Sequence, residues 1–111
     1  MGVRLDSPWQ LLNASVAEAV GGYLGVYEVR SFDGNYLRIG YAGGKSQYGL
    51  RGEIECLLEK YGAECVDVRF EITSSYLSRY QELLMLHMHD YGRLPRDNAE
   101  DPLRLGIITP A

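Results

Sequence analysis

Three short stretches of the 111-residue chain carry residue types able to do chemistry, and spacing decides among them. In GYAGGKS, Gly40 to Ser46, a lysine and a serine follow glycines where a phosphate-cradling loop would sit. Gly40 and Gly44 stand one residue closer than Gly-x-x-x-x-Gly-Lys-Ser requires, so the stretch reads as a plain loop whose Lys45 can touch a DNA backbone. In HMHDYG, His87 and His89 lie two apart and point in different directions on a helix, which excludes a ligand pair. His89 is seven residues beyond Glu82 and shares its helical face; a solvent-facing histidine is the ordinary alternative. The third stretch, GVYEVRSFDGNYLRIG, sets Tyr27 and Arg38 on either side of a turn signal at Asp33-Gly34-Asn35.

The elements that must position these residues follow from hydrophobic period. Residues from about Asn13 to Val20 read as a short helix, capped by Asn13 or Ser15 and stopped at Gly21-Gly22. Leu24–Arg30 and Tyr36–Tyr41 read as a hairpin, with Ser31 to Asn35 long enough for a bulged turn. Leu50, Ile54, Leu57, Leu58 and Tyr61 recur at helical spacing over Tyr48 to Tyr61. Cys65–Thr73 alternates Val66, Val68, Phe70 and Ile72 with Asp67, Arg69 and Glu71, the pattern of a strand buried on one face only. A last helix begins between Ser74 and Ser78 and ends at Gly92.

The expected fold class is therefore α+β: a small three-stranded antiparallel sheet flanked by helices, in the order β-β-α-β-α after a short N-terminal helix. Length fits a single domain over residues 1–111 with its core at about 24–98. No apolar run reaches the roughly 20 residues of a membrane span, and no secretory signal is seen, so a soluble cytoplasmic chain that does not enter the membrane is expected. Cys56 and Cys65 lack metal or redox spacing and read as partly buried reduced thiols. A net charge of −4 speaks against indiscriminate coating of nucleic acid, so any DNA partner must be gripped locally.

Taken together, Gly25-Val26-Tyr27, Arg38-Ile39-Gly40, Arg51 in the next helix, Glu82 in the later helix and Asn98 beyond it resemble the GIY-YIG nuclease superfamily from about Leu24 to Asn98. The resemblance implies a metal-dependent endonuclease that hydrolyses phosphodiester bonds in DNA, with one Mg²⁺ or Mn²⁺ held by Glu82. A helical carboxylate is a hard oxygen ligand for a cation that keeps most of its waters. Arg51 would offer a donor fork to the phosphoryl transition state, and Tyr27 would assist the attacking water. Tyr27, Arg51 and Glu82 are then expected to converge on one concave surface, with Arg38, Lys45 and Asn98 contacting phosphate or DNA.

The second motif departs from the family pattern, since its leading tyrosine is replaced by Arg38. Arg38 is read equally as a phosphate ligand or as the partner of Glu28 across the hairpin. Strand alternation puts Tyr36 on the face of Arg38, where it would supply a replacement hydroxyl, with His89 as a further accessory group. The alternative to an enzyme is a catalytically inactive domain of the same fold that binds nucleic acid or a protein partner. Oligomeric state does not follow from the sequence.

Overall fold

The computed structural model describes residues 4–43, 48–62 and 64–98. Seven elements follow in order: β1 (Gln10–Leu11), α1 (Ala14–Val20), β2 (Gly25–Ser31), β3 (Tyr36–Ala42), α2 (Gly49–Tyr61), β4 (Val66–Ile72) and α3 (Tyr76–Tyr91). Asn13 caps α1 by accepting the Val16 N–H at 3.0 Å, and α3 stops at Gly92, whose φ of 73° is left-handed.

The strands form one antiparallel sheet in the order β1-β4-β2-β3. Among the described residues the sheet has four strands rather than the expected three. The additional one is only two residues long, Gln10 and Leu11 opposite Val68 and Asp67, too short to leave an alternation pattern.

Helices cover both faces. On one, Val16, Ala17 and Val20 of α1 and Leu50, Ile54, Leu57 and Tyr61 of α2 pack on Tyr27, Val29, Val66 and Val68. On the other, Tyr80, Leu83 and Leu84 of α3 pack on Val26 and Ile39, with Tyr41 and Tyr76 beside them. Adjacent strand residues point oppositely, so Val26 and Tyr27 mark the two faces.

Two expectations about exposure are corrected here. The polar face of β4 is only partly turned to water: Arg69 pairs with Glu28 at 2.7 Å, and Glu71 reaches Arg79 of α3 at 2.9 Å. Alternation reports which residues share a face, but charge compensation allows a polar face to be covered. Cys56 and Cys65 are free, as expected, yet both are exposed rather than partly buried.

Candidate functional site

The β2–β3 hairpin brings Tyr27 and Arg38 together. Tyr27 lies opposite Gly40 in the ladder, and its ring crosses the space a side chain there would fill: a Cβ on Gly40 would stand 2.3 Å from the tyrosine Cζ and Oη. Tyr27 is 3 % exposed, and Arg38 Nε donates to its hydroxyl at 3.5 Å. Gly25 has a similar origin, because a Cβ there would meet the Glu71 carbonyl oxygen at 2.2 Å. The glycines of both tripeptides are thus required by close packing, and Tyr27 fills the gap that Gly40 leaves.

Arg38 does not pair with Glu28. Those residues occupy opposite faces of the sheet, and Glu28 is held by Arg69. Tyr36 does not share the face of Arg38 either. Val29 pairs with Arg38 but Arg30 with Tyr36, so Leu37 is an extra residue at a register shift. A bulge of this kind breaks the two-residue period, and it sends the Tyr36 ring toward α3. There the Tyr36 hydroxyl accepts from Arg69 at 3.0 Å and its ring meets His87 at 5.0 Å.

Asn98 is fully buried and is a structural group, not a DNA contact. Its side-chain oxygen accepts the Ile39 N–H at 2.7 Å, and its side-chain nitrogen donates to the Ile39 carbonyl at 2.8 Å. The backbone of Asp97 adds an N–H to the Leu37 carbonyl at 2.9 Å. One short segment thereby occupies the outer edge of β3, where a further strand would otherwise pair. Beside it, the Tyr61 hydroxyl donates to the Asp97 carboxylate and Arg96 binds the same carboxylate at 3.0 Å. Burial pushes the Asp97 carboxyl up, but the bonds from Arg96 and Tyr61 outweigh it and hold it below the usual range. Burial first, then the bond to Asp97, raises the Tyr61 phenol well above its ordinary value.

Glu82 does not join this group. It sits on α3, across the sheet from Tyr27, and its carboxylate pairs with Arg79. Arg79 is shared with Glu71, which it contacts at 2.9 and 3.2 Å. The Glu82 carboxylate is thus engaged by a guanidinium that Glu71 also binds, surroundings that do not fit the expected metal centre. Arg51, half exposed on the first turn of α2, faces Glu55 at 3.6 Å. The first N–H groups of that helix are already taken, Leu50 by the Tyr23 carbonyl and Arg51 by the Gly21 carbonyl, so they offer no anion site. His89 is exposed on the last turn of α3, and Lys45 lies outside the described residues. The expected convergence of Tyr27, Arg51 and Glu82 is not formed, because β2 alternation turns Tyr27 toward α2 while α3 covers the opposite face.

His87, excluded above as a ligand partner of His89, has a place in the core that its spacing from His89 does not show. It continues the Tyr80, Leu83, Leu84 face of α3 and is only 8 % exposed, stacked on Tyr91 at 4.5 Å. Its spacing of three, four and seven residues along the helix was the signal available. Beyond it, the guanidinium groups of Arg30 and Arg69 each lie over the Trp9 ring, 4.3 Å from its centre, and Trp9 edges onto Tyr36 at 5.8 Å.

What the fold and site define is a small α+β domain, its sheet covered on both faces, whose motif residues are mostly engaged in holding the hairpin. Residues 3–90 match the model of a domain of unknown function, DUF7508, and the chain belongs to that family. Neither a curated protein nor a solved structure matches it.

Proposed function

We propose that the chain is a GIY-YIG-like domain that binds DNA without cutting it. The observation that carries this reading is the separation of Glu82 from Tyr27 by the sheet, with the Glu82 carboxylate neutralised by Arg79. A metal-assisted hydrolysis needs a carboxylate, a nucleophile-activating group and a charge-stabilising donor within reach of one phosphate. Support for the scaffold comes from the strand-strand-helix-strand-helix order and from the two tripeptides facing each other across β2 and β3.

The test is incubation with supercoiled, branched and single-stranded DNA with Mg²⁺ or Mn²⁺, scored for both binding and nicking. Binding without nicking is expected, with a shallow salt dependence that reflects few phosphate contacts. Metal-dependent nicking that disappears in Glu82→Gln would restore the endonuclease and overturn this reading.

One observation favours a protein partner instead. Arg4, Arg30, Arg51, Arg69, Arg79 and Arg96 each face a carboxylate, which leaves these six guanidinium groups little uncompensated charge for a phosphate backbone. Absence of DNA binding even at low salt selects this second reading.

A further inference from the structure

The turn of the β2–β3 hairpin and the end of α3 enclose a cleft of about 630 Å³, within the range of small-molecule sites. Its wall is aromatic on one side, where Tyr36 meets His87 edge to face and His87 lies tilted against Tyr91. His87 is more than nine-tenths buried and has no hydrogen-bond partner among the described residues, which leaves its ring nitrogens to a guest of the cleft. Tyr91, by contrast, is 57 % exposed and offers an open ring face.

The charges of the lining are mixed. Arg93 is exposed and has no ion-pair partner among the described residues, while Arg96 is already bound to Asp97. Asp33 and Glu64 line the same cleft. Asp33 accepts from the Ser31 hydroxyl and from the Asn35 N–H at 3.2 Å, and these bonds, Ser31 first, hold its carboxyl below the usual range. A dianion would find one uncommitted cation and two carboxylates. A ligand with one carboxylate and one ammonium meets both signs.

We infer that this cleft binds a small aromatic zwitterion of the aromatic amino-acid class. Its ring lies against Tyr91 and His87, its carboxylate meets Arg93, and its ammonium meets Glu64 or Asp33. Burial, with a smaller contribution from Arg93 opposed by Asp90, lowers the pKa of His87, so the imidazole is neutral near pH 7 and can accept a ring N–H such as that of indole.

The experiment is calorimetric titration of the full chain with L-tryptophan, tryptamine and indole-3-propionate, with the Tyr91 and His87 ring signals followed by NMR. Saturable binding of tryptophan is expected, with tryptamine, lacking the carboxylate, and indole-3-propionate, lacking the amine, each tenfold weaker or more. Arg93→Gln should weaken tryptophan and leave tryptamine unchanged. Glu64→Gln is the reciprocal arm, and with Asp33→Asn it should weaken tryptophan and leave indole-3-propionate unchanged. Tyr91→Ala should weaken all three, and Tyr91→Leu, which keeps apolar packing on His87 but offers no ring face, should weaken them with a smaller change in the urea midpoint. Absence of saturable tryptophan binding, equal binding of the three ligands, or tighter binding of adenosine monophosphate than of tryptophan would overturn the inference, whatever the DNA assays show.

Discussion

The two faces of the sheet are made from the same strands by different chemistry. Toward α1 and α2 the sheet presents Val29, Val66, Val68 and Tyr27, and the Tyr27 hydroxyl in that layer is met by Arg38. Toward α3 it presents Glu28, Arg69 and Glu71 together with Val26 and Ile39, and every one of those charges has a partner. The first face is held by non-directional burial, which tolerates shape changes of moderate size. The second depends on pairs that cost several kcal/mol when one member is removed.

The largest expected effect therefore belongs to the charged face. Glu28 and Arg69 retain only 6 % and 13 % side-chain exposure, and burial pushes the Glu28 carboxyl above its ordinary range despite the bond from Arg69. Arg69→Ala leaves that carboxylate without its partner and also removes a donor to Tyr36 and a cation over Trp9. We expect a loss of about 3 kcal/mol in urea unfolding. The double variant Glu28→Gln with Arg69→Met should recover much of it. A loss below about 1 kcal/mol for Arg69→Ala would show that the two faces do not differ in the way described.

Next in size is the edge at which both faces end. Asn98→Ala removes two hydrogen bonds from the Ile39 backbone, and each buried group left unpaired costs about 1–3 kcal/mol. A destabilisation of about 2 kcal/mol is expected, together with faster hydrogen exchange at the Ile39 amide. Unchanged protection there would mean that Asn98 does not hold the edge.

These two cases also show what the sequence could reveal. The positions of α1, α2, α3 and the three longer strands were legible because each carries a sustained period and a stop signal: Asn13 at one cap, Gly92 at another, and Val66 to Ile72 in alternation. The bulge at Leu37 was not legible, and it alone moved Tyr36 from one face to the other. Nor does sequence order say on which side of a sheet a later helix packs, so Tyr27 and Glu82 read as partners although α3 covers the opposite face. Asn98 was found as a residue, but its role was not, because a side chain that imitates a strand leaves no periodic trace.

On the apolar face the sharpest probe is the pair Tyr27 and Gly40. Gly40→Ala places a methyl where the tyrosine ring lies, and overpacking of this kind costs about 1–3 kcal/mol. The same change in a Tyr27→Leu background should cost less, since the clashing atoms are gone. Tyr27→Phe, which removes only the hydroxyl, should cost under about 1 kcal/mol because Arg38 keeps access to other polar groups near Tyr61. Equal costs for Gly40→Ala in both backgrounds would dissociate the glycine from the tyrosine.

The smallest expected effect is again on the face of α3 and concerns acid. Burial lowers the His87 pKa below its ordinary 6.5, against a raising influence from Asp90 and with a further lowering from Arg93. The unfolded chain therefore takes up a proton on this residue before the folded chain does. It follows that the contribution of His87 to stability is complete above about pH 6.5 and declines as pH falls through the folded value. The wild-type urea midpoint should drop between pH 7 and pH 5 by more than that of His87→Phe, which keeps a ring against Tyr36 and Tyr91 but cannot be protonated. Identical pH slopes in the two proteins would show that the imidazole is as easily charged inside the fold as outside it, and the aromatic wall beside the hairpin would then have to be open to water.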